Sequence, residues 1–398
     1  MSDEIDRHVL RKYDILQKLG KGAYGIVWRA QRKKQQQHGG AAASQVALKK
    51  IFDAFQNATD AQRTFREIEF LQSMNGMCDH IITLHEVLKA DNDRDIYLVF
   101  EYMETDLHAS IRANILQDIH KQYIVWQLLK ALKYMHTAKL LHRDIKPSNL
   151  LLNSDCLMKV CDFGLARSMR EDEPSGAAAT IEAEPPQPLT DYVATRWYRA
   201  PEILLGAQRY GFGVDMWAVG CILAEMLHGK PVFPGTSTIN QVEKITELTG
   251  LPPTDQLDDI SPFASAMVSS ITSLHTATDL SHDREAMRRK FERRFERGSD
   301  DAIDLMMNLL AFMPEQRYTA DQCLAHPYVA QFHDPLQEVS ANFEVNPTID
   351  DNSKRNTSFY RDHLYQQISK GKLGGKLGSG TDRALSGRSN VSGPPSRR

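Results

Sequence analysis

Residues 141–152 read L-H-R-D-I-K-P-S-N-L-L-L, and shortly afterwards residues 161–167 read C-D-F-G-L-A-R. No other stretch constrains the fold as strongly, because the polar side chains of these two segments are useful only if the chain brings them to one point. They supply a carboxylate able to take a hydroxyl proton (Asp144) and a lysine suited to a transferred phosphoryl group (Lys146). They also supply an amide and a carboxylate of the kind that hold magnesium, Asn149 and Asp162. Phosphoryl transfer asks a protein for fixed charge rather than covalent help, so these residues carry meaning as a set. A lone H-R-D triplet arises by chance in many chains, whereas here the rest of the set follows in order.

Upstream, residues 20–25 (G-K-G-A-Y-G) match GxGxxG, a pattern that alone decides little. A dinucleotide fingerprint opens a helix, but Ile26-Val27-Trp28 continues as a strand, so a hairpin lid over phosphates is expected. Residues 46–49 (V-A-L-K) then put Lys49 on a third strand, where Glu67 on the following helix can pair with it. Lys50 beside it is the confounder. His142 and Phe163 are read as packing and orienting groups, and Cys161 as a small core residue rather than an activated thiolate. Gly164 has the backbone freedom of a switch, and a plain turn explains it equally well. Asp215, Trp217 and Gly220 are assigned to structural support.

The pattern along the chain predicts an α+β fold of two lobes. Strands are expected at 13–19, 25–29, 46–52 and 96–100, with a helix over 58–74 whose Phe65, Ile68 and Leu71 share a face. Beyond Asp106 the spacing turns to long helices, among them 119–136, 215–227, 239–248 and 301–312. Residues 32–45 read as an exposed polar loop. Residues 169–189, rich in Pro, Ala and acids, read as a flexible insertion. From about Glu338 the helical pattern fades. Residues 369–398 carry a charge of about +6, which suits either an anionic partner or a solvated end.

Composition narrows the class. With 398 residues, 41% of them hydrophobic, the chain can bury a core large enough for two lobes. A net charge of -3 argues against a general nucleic-acid or membrane-surface binder, and no uninterrupted apolar run is long enough to span a bilayer. Five scattered cysteines without a CxxC pair read as reduced thiols of a cytosolic or nuclear protein.

Taken together these residues resemble a eukaryotic protein kinase from about Tyr13 to Tyr328. Thr190-Asp191-Tyr192 followed by V-A-T-R-W-Y-R-A-P-E is similar to the dual-phosphorylation lip of mitogen-activated protein kinases, and residues 250–297 resemble their second-lobe insert. K-K-I-F-D-A-F, T-D-A-Q-R-T-F-R-E-I and N-D-R-D-I-Y-L-V-F-E-Y-M resemble the atypical mitogen-activated protein kinase 15 subgroup, also called extracellular signal-regulated kinase 7/8. Asp191 stands where that subgroup usually has Glu. The acidic docking site after the last helix keeps Asp334 and Glu338, but Gln337 replaces an expected acid.

The resemblance implies a proline-directed Ser/Thr kinase using ATP and Mg2+, with Asp144, Lys146, Lys49 and Glu67 as catalytic residues and Asn149 and Asp162 as metal ligands. ATP contacts are implied at Leu19, Gly20, Lys21, Gly22, Ala23, Gly25, Val27, Ala47, Lys49, Phe100, Glu101, Met103 and Leu152. Asp106 is either a ribose contact or an ordinary helix cap. Phe100 stands as gatekeeper, and Glu202 is expected to pair with Arg317. Phosphate on Thr190 would meet Arg66, Arg143 and Arg167, and phosphate on Tyr192 would meet Arg196 and Arg199. Thr195 is expected near Asp144 and Lys146, and a main-chain carbonyl near Ala194 turned from the substrate would favour Pro after the target.

The implied organisation is an extension (1–12), a kinase domain (13–328, with lobes 13–103 and 104–328 and an activation segment 162–202), a second extension (329–368) and a basic tail (369–398). Implied partners are Ser/Thr-Pro protein substrates and either an upstream kinase or self-phosphorylation, with the chain a monomer. Implied locations are the cytoplasm, the nucleus, or the basal body and cilium. The alternatives are a pseudokinase or scaffold acting through binding alone, and a cyclin-dependent-like kinase suggested by V-F-E-Y. The complete set Lys49, Asp144, Asn149 and Asp162 weighs against the first, and Tyr192 with the insert against the second.

Overall fold

The computed structural model of the chain describes residues 5–22, 25–33, 44–169, 196–271, 284–350 and 355–370. A five-stranded antiparallel sheet builds the smaller lobe. Its strands are β1 (Tyr13–Gly22), β2 (Gly25–Arg32), β3 (Gln45–Ile51), β4 (Leu84–Lys89) and β5 (Ile96–Glu101), in the spatial order β1-β2-β3-β5-β4. Alternation sorts the side chains to two faces. Tyr97 and Val99 join Ile26, Trp28 and Leu48 in a layer that also holds Val9 of the short helix α1 (Arg7–Lys12). Ile96, Leu98 and Phe100 enter the main core with Phe65, Ile68 and Leu71 of α2 (Ala58–Met74). The Asn57 side chain starts α2 by accepting the Thr59 and Asp60 N–H groups.

The larger lobe follows. Thr105–Asp106 (β6) leads into α3 (Leu107–Arg112) and α4 (Asp118–Thr137). Two short ribbons then carry the signature segments: β7 (Leu140–Leu141) pairs with β10 (Arg167–Ser168), and β8 (Leu150–Leu152) lies between β6 and β9 (Met158–Val160). After α5 (Pro201–Leu204), the central helix α6 (Gly213–His228) is buried from Val214 to Leu227. A Cβ on its Gly220 would fall 2.8 Å from Leu310, so the absent side chain permits the close packing of α6 on α11 (Asp300–Leu309). Helices α7 (Thr238–Thr249), α8 (Thr254–Ile260), α9 (Ala264–Ser269) and α10 (Arg284–Arg294) precede α11, and α12 (Ala320–Leu324) follows it. No helix among the described residues is long and apolar enough to cross a membrane.

Four features correct the sequence reading. Strand β4 was not anticipated. Helical order does not end at Glu338, because α13 (Thr357–Ser369) returns to the smaller lobe. It rests on α2, with the Tyr360 ring 5.6 Å from that of Phe65, while Tyr365 meets Phe55 at 5.9 Å. Its buried face is short and aromatic, and its partner surface comes from a distant part of the chain, so little periodicity announces it. Glu338 is no exposed docking acid: it is buried and accepts hydrogen bonds from Trp126 Nε1 at 2.8 Å and from the Asp334 N–H at 3.1 Å. Met169, the first residue of the expected insertion, is buried and its N–H donates to the Lys139 carbonyl at 2.7 Å.

Candidate active site

The glycine pattern ends one side of a hairpin. Gly22 pairs with Gly25 across the β1–β2 turn, so the segment is a strand-to-strand lid and not the start of a helix. Gly25 tolerates no side chain, since a Cβ there would lie 2.1 Å from the Lys50 carbonyl oxygen. On β3, Lys49 sits between Val27 and Leu98 of the neighbouring strands and reaches α2. Its Nζ is 2.8 Å and 3.2 Å from the two Glu67 carboxylate oxygens. Burial opposes the ammonium charge, but Glu67 and Asp162 overcome it and raise the Lys49 pKa. Lys50, the confounder, pairs instead with Asp95 at 3.3 Å.

The residues around Asp144 are held from below. Asp215, at the start of α6, accepts the His142 N–H at 3.0 Å and the Arg143 N–H at 2.9 Å, and its Oδ2 is 3.0 Å from His136 Nε2. Burial would raise the Asp215 carboxyl, but these bonds and the histidines hold it below its usual range. Asp215 therefore supports the fold, as its sequence context suggested, by fixing the main chain two residues before Asp144. His142 packs edge-on against Phe163 at 4.9 Å, and its Nδ1 accepts the Asp144 N–H at 3.2 Å. Both aromatic groups orient their neighbours.

Above this support, Lys146 Nζ donates to Asp144 Oδ2 at 2.8 Å. The Asn149 Nδ2 donates to the Asp144 carbonyl at 2.8 Å and to Oδ2 at 3.1 Å. Burial lifts the Asp144 carboxyl above its usual range against the pull of Lys146. Asp162 behaves oppositely, because Lys49 and Lys146 outweigh its burial and hold it below its usual range. The backbone of Asp162 has φ 66, and that of Arg143 φ 70, left-handed conformations uncommon outside glycine. Burial and the adjacent Asp162 charge push the Cys161 thiol up, in keeping with an inert packing role.

A cavity of about 690 Å³ joins these groups: Gly22, Gly25, Val27, Lys49, Glu67, Asp144, Lys146 and Asp162 all line it. Arg63 of α2 lines it too, a residue the sequence reading passed over. The expected adenine contacts Leu19, Ala47, Phe100, Met103 and Leu152 lie outside that lining. Ala47 and Phe100 are cross-strand neighbours in β3 and β5, and Leu152 pairs with Met158 and with Thr105. Asp106 caps α3, accepting the Ala109 N–H at 2.8 Å, which is the second of its two expected roles. Gly20 and Lys21 continue β1 opposite Val27 and Ile26.

Among the expected phosphate-binding arginines, Arg66, Arg167 and Arg196 are buried. Arg143 and Arg199 line one small cavity together with Asp144 and Tyr198. β10 sets Arg167 opposite Leu141, two residues before Arg143. Glu202 and Arg317 form a fully buried, two-point ion pair with both N–O distances at 2.7 Å. Ala23, Thr190, Asp191, Tyr192, Ala194 and Thr195 lie outside the described residues.

A two-lobed fold with a lysine–glutamate pair facing this carboxylate, amide and lysine cluster is that of a protein kinase, and the protein kinase domain model matches residues 13–329. The chain is 56% identical over 374 residues to extracellular signal-regulated kinase 2 of Dictyostelium discoideum, covering 93% of this chain and 94% of that protein. It is 48% identical to mitogen-activated protein kinase 15 of Caenorhabditis elegans, over 94% of this chain and 74% of that one. With the rat protein of the same name, identity is 46% over 92% of this chain and 62% of the relative. The chain belongs to the mitogen-activated protein kinases, in the atypical mitogen-activated protein kinase 15 and extracellular signal-regulated kinase 7 subgroup, and is a protein Ser/Thr kinase. No comparison supports the binding-only alternative.

Proposed function

We propose that this kinase moves the γ-phosphate of ATP to Ser/Thr hydroxyls followed by proline, and that phosphorylation of Thr190 and Tyr192, by the chain itself or by an upstream kinase, switches it on. The observation that carries the reading is the convergence of Lys49–Glu67, Asp144–Lys146 and Asp162 on one cleft. Adenine sits between Leu19, Val27, Ala47 and Leu152, in front of Phe100, and meets the main chain of Glu101 and Met103. The Glu101 N–H is already committed to the Thr83 carbonyl at 3.1 Å, which supports use of its carbonyl. Gly20, Lys21, Gly22, Ala23 and Gly25 cover the phosphates, and Lys49 holds them from the side.

The donor set suits magnesium: Asp162 is kept ionised by two lysines, and both Asn149 bonds to Asp144 use Nδ2, so its amide oxygen serves as the ligand atom. Magnesium, when bound, neutralises charge on the β- and γ-phosphates. Asp144 orients and accepts the proton of the substrate hydroxyl, a task its raised carboxyl pKa suits. Lys146 stabilises the moving phosphoryl.

Phosphate on Thr190 adds roughly two negative charges and recruits Arg66, Arg143 and Arg167, while Tyr192 phosphate recruits Arg196 and Arg199. A carbonyl near Ala194 turned from the substrate leaves any non-proline amide unpaired, at about 1–3 kcal/mol. The test is phosphosite mass spectrometry on protein made in bacteria, wild type against Asp144→Ala, with Mg-ATP transfer to paired Ser-Pro and Ser-Ala peptides. Transfer to Ser-Pro alone, with Thr190 and Tyr192 phosphorylated in the wild type only, is expected for self-activation. Phosphorylation only after an added upstream kinase selects the other route, and equal use of both peptides rejects proline direction.

A further inference from the structure

Glu101, which opens the segment joining the lobes, is held from behind by part-buried contacts that phosphoryl transfer itself does not use. The Thr83 N–H donates to Glu101 Oε1 at 2.7 Å, in return for the Glu101 N–H bond to the Thr83 carbonyl at 3.1 Å. The same Oε1 lies 3.0 Å from the Nζ of Lys159, whose residue is 7% exposed in the middle of β9. β9 is stitched to the chain just before Thr83. The Val160 N–H donates to the His80 carbonyl at 2.9 Å, and the Ile82 N–H to the Val160 carbonyl at 3.0 Å. On its other side β9 pairs with β8, with Lys159 opposite Leu151 and Met158 opposite Leu152. One ammonium thus ties the inter-lobe segment to the ribbon that carries the expected adenine floor.

Stability alone is a poor reason for such a pair, since apolar side chains of similar volume often serve a buried position as well or better. What the ion pair adds is position. A carboxylate held at one oxygen by an N–H and an ammonium has little freedom, and its own main chain inherits that restraint. The Glu101 carbonyl belongs to that main chain, and a hydrogen bond to it weakens steeply as distance and angle drift. Removing Lys159 would leave the half-buried Glu101 carboxylate with one hydrogen-bonding partner fewer, so the end of β5 would relax towards solvent or a new donor.

We propose that Lys159 is a positioning residue for adenine recognition: through the Glu101 carboxylate it fixes the main-chain carbonyl that accepts the adenine amino group. This rests on the reading of Glu101 and Met103 as the adenine contacts. Lys159 touches neither nucleotide nor substrate, and its influence is confined to the base, leaving the phosphate cluster and the peptide site as they are.

The full chain carrying Lys159→Met tests this in the transfer assay, with adenosine and inorganic tripolyphosphate as separate competitors of Mg-ATP. The adenosine Ki is expected to rise roughly tenfold, the loss of about 1.4 kcal/mol of binding. The tripolyphosphate Ki and the peptide KM should stay unchanged, and Lys159→Arg should restore adenosine binding. Should Lys159→Met fail to fold, Lys159→Gln carries the same comparison, with a smaller rise in the same direction. An unaltered adenosine Ki in a folded charge-removing variant overturns the proposal, and so does an equal loss for both competitors, which marks general loosening. Ala47→Phe separates the two levels of inference. If it leaves adenosine binding untouched, the adenine seat itself is misassigned and the role of Lys159 falls with it; if it weakens adenosine while Lys159→Met does not, only the role of Lys159 fails.

Discussion

At the scale of single residues, buried charges set the clearest expectations. Arg317 gives both outer nitrogens to Glu202 and also donates to the carbonyls of Ala311, Gly213 and Phe312. Arg317→Met strands the Glu202 carboxylate and should cost about 3–5 kcal/mol, read from urea unfolding. Glu225 accepts the Tyr198 hydroxyl at 2.6 Å, and burial pushes its carboxyl up to about 7 from an ordinary 4.5. The folded chain therefore keeps a proton that the unfolded chain has released between those values. Stability through this group falls as pH rises across that window, by roughly 3 kcal/mol at most. Glu225→Gln should flatten that dependence, so that its urea midpoint drops less than the wild type's between pH 5.5 and pH 8. The cluster itself was legible at this scale, because Asp144, Lys146, Asn149 and Asp162 fall in two short segments. The structural role of Asp215 was legible but its partners were not, and Lys159 escaped altogether: His142 and Glu101 lie far off in sequence, and no local pattern records either pairing.

Among elements, α2 was legible to its last residue because its apolar spacing is regular and Asn57 caps it. β4 escaped because a bulge between Leu84 and Glu86 breaks its alternation, and α13 because its face makes sense only against α2. That pairing has a measurable weight. Tyr360 is 1% exposed, and Tyr360→Ala should destabilise the chain by about 3–5 kcal/mol in urea unfolding. Because α2 also carries Glu67, the same variant should lower kcat/KM in the transfer assay under conditions where it remains folded.

For the whole molecule, elements of both lobes line the proposed nucleotide cleft, so ligand binding and fold stability are linked. Mg-ATP at a hundred times its Kd should stabilise the chain by about 2.7 kcal/mol, seen as a raised Tm by scanning fluorimetry. Removing magnesium with EDTA should shrink that gain, and Lys49→Met should shrink it further. The bilobal outline was readable from the change of period after Asp106, but the return of the chain to its first lobe was not. That return also bears on synthesis. A ribosome adding about 5–20 residues per second needs roughly a quarter of a minute to a minute between finishing α2 and beginning α13. Throughout that interval the nascent smaller lobe presents Phe55 and Phe65 without the aromatic cover that α13 later supplies. The growing chain is thus incomplete where Lys49 must meet Glu67, and that pair gains its final buttress only once α13 has been made.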